Sequence, residues 1–195
     1  MIDISNYPIL SGHMSTLKET SLDKRDDQTQ VYMTESVRPA INFDHVKEEY
    51  VRPLGLNEAP KSNDALLTDG KGTLIFVEFK NGYMDKIKQY AVRKKIYDSI
   101  LILSDIVSAG ISDLRICTEY ILVYNETVNE KNPDLIKEKK THIQSSTSFN
   151  DFAKSVSRLA GEEYVCFGVK IFENYCFRKV HTYTEKEFEK YLAVL

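Results

Sequence analysis

Residues 64–80 read DALLTDGKGTLIFVEFK, and this stretch decides the fold. Two runs suited to β-structure, 64–68 and 73–80, flank the turn DGKG at 69–72, which is the pattern of a β-hairpin. The second run is apolar almost throughout, as in a strand covered on both faces. It ends on Glu78-Phe79-Lys80, and Asn81-Gly82 breaks it. Alternate side chains of a strand share a face, so Glu78 and Lys80 point the same way. A carboxylate and an ammonium at the end of a buried strand need compensation for their desolvation. A divalent cation, a phosphate or a structural ion pair each supplies it.

Asp64 stands fourteen residues before Glu78 and is folded back beside it by the hairpin. The register is critical. A four-residue loop at 69–72 sets Asp64 opposite Val77, on the wrong face. A one-residue bulge, for which Gly70 or Gly72 is suited, moves it opposite Glu78. With that bulge or a splayed strand end, two carboxylates converge on one hard cation, Mg²⁺ or Mn²⁺, with the Phe79 carbonyl as a third ligand. Lys80 then orients an attacking water or stabilises charge on a phosphate. Neither Glu78 nor Asp64 demands this: a strand-end ion pair and a bond to a backbone amide are the plainer alternatives.

Outward from the hairpin, residues 37–51 read as a helix with Phe43, Val46, Tyr50 and Val51 on its buried stripe, stopped by Pro53 and Gly55. Residues 84–108 read as a long helix with Val92, Ile96, Ile100, Leu103 and Val107 inward and Gly110 as terminator. Residues 115–124 read as a strand, 125–148 as a surface loop and 149–160 as an amphipathic helix. Residues 164–172 and 175–183 read as an aromatic hairpin. A last helix opens at Thr184, with Glu187 completing a capping box. Residues 1–35 are weakly periodic and read as an arm or peripheral hairpin, leaving 36–195 as one α/β domain.

Asp64, an intervening hairpin and Glu78-X-Lys80 resemble the signature of the PD-(D/E)XK nuclease superfamily over roughly residues 40–124. The resemblance implies a restriction-endonuclease-like mixed sheet flanked by helices, here with an added C-terminal hairpin and helix. It implies metal-dependent phosphodiester hydrolysis of nucleic acid, DNA rather than RNA, with Asp64, Glu78 and Phe79 holding the metal and Lys80 as catalytic cation. Asn63 stands where the family has proline. Members also place a glutamate on the first helix. Glu49, at the edge of the stripe, is preferred here over the more outward Glu48 and the remote Glu35. They carry Lys, Gln or Arg on the following helix too, which selects Lys86, Gln89 and Arg93. Segment 86–95 holds five basic residues and no acid, and is the expected phosphate contact.

Composition limits the alternatives. The 195 residues are 42% hydrophobic and 28% charged, which excludes disorder and a collagen-like chain. The net charge of −3 excludes nucleic-acid binding by overall charge, so a local patch has to provide it. Three cysteines (Cys117, Cys166 and Cys176), without a CxxC pair or leader, point to a cytoplasmic protein with core thiols. No apolar run is long enough for a membrane span. The scattered His13, His45, His142 and His181 do not make a zinc motif. The aromatic C-terminal region is explained by packing or by a homodimer surface. Two further functions stay open: a nuclease fold that has lost catalysis and acts as a binding or regulatory module, and an unrelated partner-binding protein if Asp64 faces the wrong way.

Overall fold

In the computed structural model, which describes residues 2–23, 30–136 and 165–195, the hairpin pairs strand β5 (Ala65–Thr68) with strand β6 (Leu74–Lys80). Ala65 lies opposite Val77 and Thr68 opposite Leu74. Asp64 stands one residue before that ladder, with its N–H donating to the Val77 carbonyl at 3.2 Å. The required extra residue sits in the turn: Thr73 leaves the strand and the loop runs from Asp69 to Thr73. Asp69 Oδ1 accepts from the N–H groups of Lys71 (2.8 Å) and Thr73 (2.9 Å), and the Asp69 N–H donates to the Thr73 carbonyl at 3.1 Å. Gly70 and Gly72 take φ of 73° and 101°, which the turn demands and other residues resist. From Ala65 to Thr68 the ladder runs without a bulge.

The remaining strands are β1 (Met14–Thr16), β2 (Leu22–Asp23), β3 (Val31–Tyr32), β4 (Pro39–Asn42), β7 (Thr118–Tyr124) and β8 (Lys179–Thr184). Six of them form one mixed sheet in the order β1-β4-β5-β6-β7-β8, and β2 and β3 form a separate antiparallel pair. The links β1–β4, β4–β5 and β5–β6 are antiparallel, whereas β6–β7 and β7–β8 are parallel. Along the chain the helices are α1 (Pro8–Ser11), α2 (Leu17–Thr20), α3 (Phe43–Val51), α4 (Lys86–Ile106), α5 (Ile111–Cys117), α6 (Glu126–Asn129) and α7 (Glu185–Val194).

Helices flank both faces of the sheet. Leu66, Leu74, Phe76, Tyr120 and Leu122 meet Phe43 and Val46 of α3, the Val92–Ile96–Ile100–Leu103 stripe of α4 and Leu114 of α5. On the opposite face Ile75, Val77, Ile121 and Val123 pack with Leu17, Met33 and the α7 residues Phe188 and Leu192. Every residue of β6 but Lys80 is buried, as strand burial on two sides requires. Among the described residues no helix is long and apolar enough to cross a membrane.

Several expected elements differ. The helix expected over 37–51 starts only at Phe43, because Asn42 caps it by accepting from the His45 N–H at 3.1 Å, and residues 39–42 pair in the sheet. Gly110 does not end α4. The chain turns at Ser108 (φ 52°), and Gly110 precedes α5, its N–H held by Asp113 Oδ2 at 3.2 Å. Arg115–Cys117 are the end of that helix rather than the start of a strand. The C-terminal hairpin is not formed. Phe167, Gly168 and Asn174 adopt left-handed φ values, which break any extended run, and Lys170–Phe172 form a 3-10 turn. Strand β8 instead joins β7 in parallel. Phe167, Phe172 and Phe177 fill the core, whereas Tyr175 is exposed: Phe177 stacks on Tyr120 at 5.5 Å and Phe172 meets Tyr97 at 5.0 Å.

Residues 1–35 do more than form a peripheral arm. The expected hairpin appears as β2–β3, but β1 is the edge strand of the main sheet, and Leu10 and Leu17 are fully buried. The helix expected over 149–160 lies outside the described residues. Glu187 completes the capping box at Thr184, donor and acceptor lying 2.8 and 3.3 Å apart in its two bonds.

The turn yields a testable consequence. Burial works to raise the Asp69 pKa, but the Thr73 and Lys71 donors outweigh it and hold the carboxyl below the usual range. Stability from such a group is present above its unfolded pKa and lost as pH falls through the folded one. Asp69→Ala should therefore cost about 1 kcal/mol in urea unfolding at neutral pH. The gap from the parent protein should narrow below about pH 4.

Candidate functional site

Asp64 has a different partner on each carboxylate oxygen. Oδ2 accepts from the Phe79 N–H at 2.7 Å, closing the open end of β6, and Oδ1 accepts from Lys95 Nζ at 3.0 Å. Lys95 also reaches Glu78 Oε1 at 2.7 Å. A second ammonium, Lys80 Nζ, meets the same Oε1. Asp64, Glu78 and Lys80 are thus brought together at the end of β6, with Lys95 of α4 between the carboxylates. Both carboxylates thus meet one ammonium, at 3.0 and 2.7 Å, which brings them to a common point.

Glu78 is fully buried, and its Oε2 has no hydrogen-bond partner. Burial above all, then the neighbouring Asp64, pushes its pKa up, against the pull of Lys80 and Lys95. For Lys95, burial favours the neutral amine, but the carboxylates of Glu78 and Asp64 prevail and raise its pKa, so the ammonium persists at neutral pH. Two carboxylates and two ammoniums make the cluster formally neutral. Its surroundings are polar and incompletely satisfied: the Asn63 side-chain amide and the Tyr120 hydroxyl are also buried without partners. The Tyr120 pKa is raised well above the usual value, by burial and then by Glu78 and Asp64. The Asn63 backbone N–H donates to Ser99 Oγ at 2.8 Å, tying the residue before Asp64 to α4.

The cluster borders a cleft of about 370 Å³ whose polar lining includes Asp23, Asp44, Asp64, Lys80, Asn81 and Lys88. Asn81 donates to Asp23 Oδ2 at 2.9 Å and accepts from Asn125 at 2.7 Å, so the break after β6 is itself pinned. Phe79 contributes backbone here, since its ring packs on Phe188 across the sheet, 5.7 Å between centroids.

Other expected residues lie elsewhere. Glu49 bonds His13 Nε2 at 2.8 Å, and Glu35 bonds Lys18 at 2.6 Å. The α3 residues that line an adjoining hollow with Asp64 are Asp44, His45, Lys47 and Glu48. Lys86 and Gln89 turn to Asp134, Lys86 at 2.7 Å, and Gln89 is buried. Arg93 lies against Gly168, where a β-carbon would come within 2.2 Å of its Nη2. Lys88 reaches the Tyr83 carbonyl and Lys94 reaches Asp98, each at 2.9 Å. The expected basic patch is therefore largely engaged within the chain. Of its cations only Lys88 lines the cleft.

Sequence reading missed Lys95, although it left a trace. Lys95 follows Val92 by three residues and precedes Ser99 by four, both buried, so a lysine occupies the inward stripe of α4. Asp44 could have been found from its place in the first turn after the Asn42 cap. Among the described residues no group of three or more His, Cys, Asp or Glu side chains is placed to hold a metal ion. No protein-family model matches the chain, and no curated protein or solved structure matches it.

Removal of an unneutralised carboxylate from a cluster relieves repulsion and stabilises the protein. The two lysines reverse the sign. Glu78→Ala leaves Lys80 without its carboxylate and Lys95 with Asp64 alone, and should cost about 3 kcal/mol. A urea-unfolding midpoint at or above that of the parent would refute this.

Proposed function

We propose that the chain is a metal-dependent phosphodiesterase acting on nucleic acid, with DNA favoured over RNA, on a restriction-endonuclease-like fold. The convergence of Asp64 and Glu78 on a single point, occupied by Lys95 Nζ, carries this reading. The donors are hard oxygens, and the buried Glu78 Oε2 has no hydrogen-bond partner, so the set suits Mg²⁺ or Mn²⁺. Asp64 and Glu78 would hold the ion, with the Phe79 carbonyl as a further ligand. When bound, such an ion supplies a more acidic water and neutralises a phosphate oxygen.

The protein's own groups do the rest. Lys80, anchored on Glu78 Oε1, presents its ammonium at the cleft and orients the attacking water or stabilises charge gathering on the phosphate. Asp64 keeps its position because Oδ2 is fixed by the Phe79 N–H. Lys88, on the cleft wall, is better placed than Lys86, Gln89 or Arg93 to meet the nucleic-acid backbone. The preference for DNA rests on the resemblance alone.

The balance of two lysines against two carboxylates favours a second reading, a nuclease fold kept as a binding or regulatory module. Cleavage assays separate the two. Purified protein with Mg²⁺ or Mn²⁺ should cut duplex DNA, and Lys80→Ala should lose turnover by about a hundredfold or more while still binding DNA. Undiminished cleavage by Lys80→Ala would overturn the assigned role. Absence of cleavage by the parent protein on both DNA and RNA would favour the module.

A further inference from the structure

We propose that Lys95 is a tethered substitute cation: its ammonium occupies the divalent-ion position between Asp64 and Glu78, and metal enters only as Lys95 leaves. This rests on the metal-dependent reading above and adds to it a built-in control of metal loading.

Position is the first argument. Lys95 Nζ is 3.0 Å from Asp64 Oδ1 and 2.7 Å from Glu78 Oε1, and it bridges the two carboxylates. Glu78 already has Lys80, its neighbour along one strand face, so Lys95 is not needed merely to give Glu78 a counter-ion. The second argument is charge. A divalent ion added to the neutral cluster would leave an excess of two positive charges beside two ammoniums at close range, which is unfavourable in a partly buried site. With Lys95 withdrawn, the excess falls to one, which a single phosphate anion balances.

The third argument concerns the acceptor left over. Lys95 and Lys80 crowd one oxygen of Glu78 while its other oxygen, fully buried, has no donor. Buried carboxylate oxygens are rarely left so, and a divalent ion taking both oxygens of Glu78 would satisfy it. The last is mobility. The Lys95 backbone is fixed midway along α4 by buried Val92, Ile96 and Ser99, yet its side chain keeps 20% of its surface exposed. Its four-carbon stem lets the ammonium swing out to solvent without moving the helix.

Calorimetric titration of the full chain with Mn²⁺ tests this, using Lys95→Met, which keeps length and loses charge. The variant should bind Mn²⁺ about tenfold or more tighter than the parent, and adding Glu78→Gln should abolish the gain. Equal or weaker binding by Lys95→Met overturns the proposal, while Glu78-dependent binding by the parent leaves the metal-dependent reading intact. No Mn²⁺ binding by either protein overturns both. If circular dichroism shows that Lys95→Met is unfolded, Lys95→Gln, which keeps a donor to Glu78, carries the same expectation. In the parent protein, saturating Mn²⁺ should speed acetylation of Lys95 several-fold by acetic anhydride, read by mass spectrometry. An unchanged rate in the presence of bound Mn²⁺ overturns the displacement.

Discussion

Asp64 joins three elements through one carboxylate. Its Oδ2 takes the Phe79 N–H near the end of β6, and its Oδ1 takes the Lys95 ammonium from α4. The strand that carries Asp64, the strand that carries Glu78 and the helix that covers them are thereby fixed relative to one another by an ionised group. This works only in one register. Moving Asp64 one position along the ladder would turn its side chain to the opposite face, toward α7 and the apolar Ile75–Val77 core. The five-residue turn at 69–73 is therefore the local feature on which the candidate site depends, and it is built from Asp69 and two left-handed glycines rather than from the strands.

The cost of this arrangement falls on Glu78. A fully buried carboxylate is retained only when compensated, and two ammoniums compensate it unevenly, both on Oε1. Structural ion pairs in cores more often distribute donors over both oxygens, since each unmet acceptor costs free energy. Glu78 Oε2, the Asn63 side-chain amide and the Tyr120 hydroxyl are all buried without partners, and Tyr120 lies within electrostatic reach of Glu78 and Asp64. Optimal packing would have replaced some of them with apolar residues. Their coincidence argues that the region is shaped for something other than stability, which is the usual signature of a site.

Much of this was legible in the sequence. The apolar run of β6 identified a strand covered on both faces, and the glycines of DGKG with Asp69 identified its turn. Periodicity located the buried stripe of α4, and Thr184 with Glu187 marked the start of α7. What was not legible depended on tertiary choice. A loop of four or five residues is equally compatible with DGKGT, and only the packing of Leu66 and Phe76 against α4 selects the longer one. The alternating aromatics after residue 164 satisfy a strand pattern, yet left-handed turns at Phe167, Gly168 and Asn174 fold Phe167, Phe172 and Phe177 into the core. Glu49 and Glu48 were separated only by the helix's rotation, set by which flank meets His13.

Lys95 shows why the candidate site and the core cannot be read apart. Val92 and Ile96 bury the helix face that holds it, so the packing that stabilises α4 also aims the ammonium at Asp64 and Glu78. In sequence it is one of five basic residues in an acid-free segment, and such a run reads as a solvated or phosphate-binding surface. The structure divides that run by direction: Lys86 turns to Asp134, Arg93 to Gly168, Lys94 to Asp98 and Lys95 inward. A count of charges along a helix therefore says little about the field it presents. What matters is the angle of each residue about the axis, and a lysine on the inward arc is a counter-ion for the sheet before it is a contact for anything outside.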